Sequence, residues 1–331
     1  MSSEQSSLAK RNFTAFLWKS GQRQQLILFV VLVGLVIFFS LTTSSFFTLN
    51  NVLNVARQIS MMGIVAAGMT MVLLIGGIDL SIASTVALAG VVAGLLMNKA
   101  GVDPWIAIVL GLTAAAVIGS VNGLIVTIVG IPSLITTLGM LTVVRGLAFI
   151  FTGGYPVFGF PNSVRFFGEG YLFGIPVPVI IMILVFVAVW LLLYRTYIGR
   201  HIYALGGNYE ATRLSGIKTK KLQLIVFTLS GFLSGIAGIV LMGRLNSGQP
   251  NAVQGFELDV ITAVVLGGVS ISGGQGKLVG VLFGVLIMGV LANGLILLNV
   301  GEFYQMVVKG MVLLIAVGID RIYGRHHTTA T

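Results

Sequence analysis

Between Leu26 and Asp320 the chain passes through ten apolar stretches separated by polar breaks. A hydrocarbon layer about 30 Å thick takes about 20 residues of helix to cross. In lipid a segment must satisfy its own backbone amides, which leaves the helix as the natural spanning element for runs of this length. The pattern therefore predicts an all-α, polytopic membrane protein of about 10 transmembrane helices. They fall near 26–42, 55–75, 82–98, 105–128, 133–152, 177–194, 222–243, 257–272, 278–298 and 304–320. The stretch at 257–272 is the weakest, because Glu257 and Asp259 open it and its apolar core is short and rich in Gly and Ser. A re-entrant segment is the alternative there, since irregular backbone is tolerated at depth where protein or a water-filled cavity covers it.

Composition narrows the chemistry. Charged residues make up 8% of the chain, against about 25% in soluble domains. With no cysteine, disulfides and thiolate chemistry are excluded. Of the three histidines, His326 and His327 lie in the polar tail, so no metal centre is expected. The nine acidic residues are dispersed, and no Ser-His-Asp or paired-carboxylate arrangement can be assembled. The stretch GGQGK at 273–277 lacks the spacing and the Ser/Thr of a phosphate-binding loop. The chain is thus expected not to be an enzyme and to carry no cofactor.

The net charge of +10 does not point to nucleic acid, because the cations gather at the ends of apolar runs. They follow the positive-inside rule. Lys10, Arg11, Lys19 and Arg23 precede the first run, which resembles a signal peptide but is long enough to span and has no A-x-A-like cleavage site after Leu41. It reads as an uncleaved first helix. With both termini cytoplasmic, 1–25 is an N-terminal segment, 26–320 the membrane domain and 321–331 a tail containing Arg321 and Arg325. Lys99, Arg165 and Arg244 then lie outside, Arg57, Arg145 and Lys309 within spans, and the other 13 of the 19 cations inside. The three intramembrane cations either snorkel to the interface or line a polar path.

The longest inner break, 195–221, holds Arg195, Arg200, Arg213, Lys218, Lys220 and Lys221. It is a cytoplasmic handle positioned for another protein to grip.

Two internal echoes appear. Asn122-Gly-Leu-Ile-Val-Thr-Ile-Val-Gly130, with Leu138-Gly139-Met140, returns as Asn293-Gly-Leu-Ile-Leu-Leu-Asn-Val-Gly301 with Lys309-Gly310-Met311. On this topology the copies run in opposite directions, as in the partly inverted repeats of alternating-access transporters. Gly76-Gly-Ile-Asp-Leu-Ser81 returns as Gly267-Gly-Val-Ser-Ile-Ser272 at an offset larger by about 20 residues, roughly one span.

Asp79, just before a helix, reads either as an N-cap whose carboxylate accepts from first-turn amides or as a gate residue. Gln58, Asn122, Asn293 and Asn208 are candidates for hydrogen bonding a small solute along a polar path. Asn122 and Asn293 have the alternative of bridging helices. Glu257 and Asp259 either cap their helix or help to dock an external partner.

Taken together, GMTMVLLIGGIDLS, GRHIYALGGNYEATRLSGI, and GFELDVITAVVLGGVSISGGQGKLVG followed by NGLILLNVGEFYQMVVKGMVLLIAVGID resemble the ribose-type permease family from about Asn50 to Asp320. These are membrane subunits of bacterial ATP-binding-cassette importers for monosaccharides. The resemblance implies a homodimer in the inner membrane, a cytoplasmic ATPase that binds the ATP and Mg, and a periplasmic sugar-binding protein. It implies a coupling segment in which a Glu-Ala-Ala…Gly pattern docks into the ATPase. That pattern maps onto Glu210, Ala211 and Gly216, flanked by Gly206, Gly207, Asn208 and Arg213, with Thr212 in place of the second small residue. The rival expectations are an ion-coupled secondary transporter, for which a midplane ion site is wanted, and a branched-chain amino-acid-type permease, whose segments match less well. A membrane-embedded enzyme would need a polar catalytic cluster.

Overall fold

The computed structural model describes residues 20–328, with side chains described over 24–318. Lys10, Arg11 and Lys19, and the side chains of Arg23, Arg321, Arg325, His326 and His327, lie outside what is described.

Thirteen α-helices dominate the described chain: α1 (Ser20–Thr42), α2 (Leu49–Leu74), α3 (Ile82–Asn98), α4 (Pro104–Leu124), α5 (Ser133–Thr152), α6 (Asn162–Glu169), α7 (Val177–Arg195), α8 (Tyr197–Gly207), α9 (Tyr209–Leu214), α10 (Thr219–Leu245), α11 (Phe256–Leu266), α12 (Leu278–Leu297) and α13 (Glu302–Thr328). Among them run four two-residue strands, β1 (Val157–Phe158), β2 (Tyr171–Leu172), β3 (Ile175–Pro176) and β4 (Ser247–Gly248). The strands form two antiparallel pairs, with Val157 opposite Gly248 and Tyr171 opposite Pro176. Local chemistry sets the helix ends. The Thr48 side chain caps α2 by accepting from the Asn51 amide, and Asp103 caps α4 ahead of Pro104.

Seven of the ten expected segments are helices long and apolar enough to cross a membrane: Gln24–Thr42, Leu49–Leu74, Pro104–Val129, Ser133–Thr152, Val177–Arg195, Thr219–Leu245 and Leu278–Leu297. Helix α3 is apolar but shorter, at 17 residues. The expected span at 257–272 is helical only over the 11 residues of α11. There Gly268, at φ +87°, takes the left-handed conformation that closes a helix, its amide bonding to the Val265 carbonyl and that of Val269 to the Val264 carbonyl. The chain then turns as far as Lys277 before α12 begins.

Helix α2 is buried continuously from Ile59 to Leu74, as expected of a helix apolar on all sides at the centre of a bundle. It packs against α10, α7, α12 and α11. By contrast α1, α4, α5 and α7 leave apolar side chains exposed, among them Ile27, Val109, Ile135 and Leu184. A continuous apolar exterior of this kind is suited to lipid. Helices α4 and α10 touch backbone to backbone. A Cβ at Gly119 would lie 2.2 Å from the Phe227 carbonyl oxygen, so glycine makes this close crossing possible.

Candidate functional site

The polar break folds into two short helices. The Thr196 hydroxyl opens α8 by accepting from the Gly199 amide at 3.3 Å. Asn208 opens α9, its side-chain oxygen accepting from the Ala211 amide at 2.9 Å. Gly216, at φ +81°, follows the end of α9. Glu210 and Arg213 form an exposed ion pair at 2.8 Å, which adds little stability because water screens it. With Ala211 and Leu214, which is 81% exposed, they make an uncovered face of mixed charge and small or apolar groups. Thr212, the departure from the family pattern, faces inward. It is buried, and its hydroxyl donates to the Asn208 carbonyl at 2.7 Å.

Helix α8 is seated by buried Ile202 and Leu205. The Tyr203 hydroxyl donates to the Gly276 carbonyl at 3.0 Å. Burial, then the neighbouring Tyr194 hydroxyl, pushes the Tyr203 phenol well above the ordinary tyrosine value. It therefore keeps its proton and stays a donor.

The second polar group is sealed inside the bundle. Asp79 is 1% exposed. Its Oδ1 accepts from the Ser81 amide at 3.0 Å and the Ser81 hydroxyl at 2.6 Å, and its Oδ2 accepts from the Ser230 hydroxyl at 3.3 Å. Asn122 Nδ2 donates to the Ser81 hydroxyl at 2.8 Å, while its Oδ1 is buried without a hydrogen-bond partner among the described residues. Helix α5 steadies the same turn: Ser133 Oγ accepts from the Ile78 amide, and Thr137 Oγ1 accepts from the Leu80 amide and donates to the Ile78 carbonyl. Ser81 occupies the residue before α3, so Asp79 acts two residues ahead of the expected cap. It organises the turn rather than the first helical turn itself.

Asn293 belongs to a different region. It exchanges two side-chain hydrogen bonds with Asn51, at 2.9 and 3.0 Å, and so ties α12 to α2. Gln58 is half-buried on α2. The structure thus brings Asp79 and Asn122 together through Ser81 and leaves Gln58 and Asn293 apart from them.

At the end of α2 away from α8, Arg57, Arg145 and Lys309 each have a protein partner. Arg57 donates to the Asn54 side chain and to the Tyr171 hydroxyl, and lies over the Tyr171 ring. Arg145 donates to the Pro250 and Ala252 carbonyls at 2.7 and 2.8 Å. Lys309 meets Asp259 at 2.6 Å, joining α13 to α11. Asp259 thus pairs across to a neighbouring helix. Glu257 has its Oε2 buried without a hydrogen-bond partner among the described residues, and α11 starts at Gly255 with no side-chain cap.

Sequence reasoning missed Asn51, Ser81, Ser230, Tyr203 and the arginine partners. Hydroxyl and amide side chains at helix spacing mark most of these positions, but their pairings cross 41 to 242 residues of chain and are set only by packing.

Residues 51–317 match a protein family described as branched-chain amino acid transport system / permease component. The chain is 49% identical to the ribose import permease protein RbsC of Bacillus subtilis, over 91% of this chain and 94% of that protein. It is 42% identical to the L-arabinose transport system permease protein AraH of Escherichia coli, over 88% of this chain and 89% of that one. To the D-allose transport system permease protein AlsC of Escherichia coli it is 38% identical over 98% of each. No solved structure matches. With the match covering most of its length and a bundle of long apolar helices beneath it, the chain belongs to the permease-component family of branched-chain amino acid transport systems, and is a multi-pass membrane protein.

Proposed function

We propose that this chain is the membrane subunit of an ATP-driven importer that carries a monosaccharide, such as ribose, arabinose, xylose or a related sugar, into a bacterial cell. The observation that carries this reading is the identity of 38–49% with ribose, arabinose and allose permeases over nearly the whole chain. The family's description names branched-chain amino acids, but these relatives favour sugar.

In this reading α3, α11 and α13 complete about ten membrane crossings, with α11 and its following turns as one interrupted crossing and both termini cytoplasmic. The chain pairs with a second copy in the inner membrane, and a cytoplasmic ATPase supplies the ATP and Mg. A periplasmic binding protein delivers sugar, with Glu257 and Asp259 at the outer end near its docking side. The uncovered face of α9, with Glu210, Ala211 and Arg213 and bounded by Gly206, Gly207, Asn208 and Gly216, is the part the ATPase grips. Gln58, Asp79, Asn122 and Asn293 are the polar groups nearest the route. Three of them, Asp79, Asn122 and Asn293, are engaged in hydrogen bonds with other side chains of the bundle, which fits gating better than tight sugar binding. Alternating access follows from ATP-linked movement of α8–α9 shifting the inner ends of the helices.

Glu210→Lys tests the reading. It reverses charge on an exposed face and should leave membrane insertion intact while lowering ATP-driven sugar uptake in proteoliposomes by more than about tenfold. Undiminished uptake would refute the grip assignment, and uptake driven by an ion gradient with no ATPase present would refute the importer.

A further inference from the structure

Three stretches far apart in sequence meet main chain to main chain where α8 ends. The Gly274 amide donates to the Leu74 carbonyl at 2.9 Å. A Cβ at Gly206 would lie 1.8 Å from that same carbonyl oxygen and 2.4 Å from the Gly274 nitrogen. One at Gly274 would lie 2.7 Å from the Gly207 nitrogen, and one at Gly273 would lie 2.8 Å from the Gly76 nitrogen and 3.1 Å from Gly206 Cα. Beside this contact, Tyr203 bonds to the Gly276 carbonyl, and the Tyr194 hydroxyl at the end of α7 accepts from the Leu278 amide at 3.2 Å.

Contacts of this kind transmit displacement in a way that side-chain packing does not. A long side chain absorbs a small shift by changing rotamer, whereas abutting main chain has no such freedom and close-packed interiors are barely compressible. The 75–81 loop leads directly into α3 and contains Asp79, and the 267–277 loop leads into α12. The end of α2 and the 267–277 loop therefore meet on the same element, α8.

We infer that Gly273, Gly274 and Tyr203 are positioning residues that lock the two glycine loops to α8, so that one movement of α8–α9 is delivered to α3 and α12 together. This rests on the reading of α8–α9 as the segment gripped by the ATPase. The loop at 267–277 thereby gains a role: it is the receiving surface for the coupling segment.

The test uses the complete importer, permease with its ATPase and binding protein, in proteoliposomes. Ribose, arabinose and allose serve as transport probes, with uptake, ATP hydrolysis and thermal unfolding measured on the same preparations. Tyr203→Phe removes one hydroxyl and keeps the ring, and should lower sugar moved per ATP about fivefold while hydrolysis and melting temperature stay near wild type. Gly274→Ala should lower the ratio further. Gly139→Ala, whose added carbon meets open space, should keep the wild-type ratio. A wild-type ratio in Tyr203→Phe, or uptake and hydrolysis falling in equal proportion, overturns the inference even if Gly274→Ala does not fold. Uptake by the wild-type permease that is driven by an ion gradient with no ATPase present fails the importer reading itself, and this inference with it.

Discussion

The two glycine loops begin alike and end differently. Helix α2 closes with the Gly76 amide on the Leu73 carbonyl and the Gly77 amide on the Val72 carbonyl. Helix α11 closes with the same pair of bonds, one residue later in its motif. In each loop a side-chain oxygen then accepts from the amide two residues on: Asp79 from Ser81 at 3.0 Å, and Ser270 from Ser272 at 3.3 Å. From there they diverge. The carboxylate of Asp79 gathers two hydroxyl donors besides that amide, and the chain restarts as α3 at Ile82. A hydroxyl at Ser270 has less capacity to accept, and the second loop winds through Gly273, Gly274 and Gly276, all at positive φ, before α12. The first loop is gathered on a buried acidic side chain and on hydroxyls from α5 and α10; the second rests its backbone on α8. A single acidic residue thus separates a turn held by side-chain hydrogen bonds from one held by main-chain contact.

The comparison can be broken at several points. Asp79→Ala should cost the most, about 3 kcal/mol or more, because it strands buried hydroxyl and amide donors; unfolding in detergent measures it, and Asp79→Asn should recover part of the loss. If Ser270→Ala destabilised the protein equally, the distinction between the loops would disappear. Thr137→Val, which removes a hydroxyl bonded to both Leu80 and Ile78, should cost about 1–2 kcal/mol. A variant unchanged in stability would mean that Asp79 alone holds its loop. The other echo gives a smaller test. Asn293→Leu removes the reciprocal pair with Asn51 and should cost about 1 kcal/mol, with Asn51→Leu added on top costing little more. Fully additive losses in that double-mutant cycle would show that the two amides do not act as a pair. Ser270→Ala itself should fall within about 0.5–1 kcal/mol of wild type.

Much of this was legible beforehand, for identifiable reasons. Helices long and apolar enough to cross a membrane occupy seven of the ten apolar stretches, because hydropathy is a one-dimensional property and a run too apolar for water signals itself. The end of α11 was less legible. Glu257, Asp259 and the glycines that follow marked the stretch as weak, but only the positive φ at Gly268 fixes where the helix stops. The polar break at 195–221 was visible from its charges, whereas the inward turn of Thr212 was not, because the direction a side chain faces depends on what lies beside it. Arg57, Arg145 and Lys309 were expected to snorkel or to line a path. The partners they bind, Tyr171, loop carbonyls and Asp259, lie 50 to 114 residues away in the chain and could not be read from it.

By itself, then, the sequence determined the membrane class, the positions of the seven long apolar helices, the polar segment between α7 and α10, and the resemblance that named the family. Each of these follows from local composition or from the order of short motifs. The tertiary structure decided which polar groups are closed on one another, which cations are paired, and that α8 rests on both glycine loops. Those outcomes depend on distances between main-chain atoms remote in the chain. A glycine in the sequence permits such an approach, but only the packed bundle shows which backbone arrives.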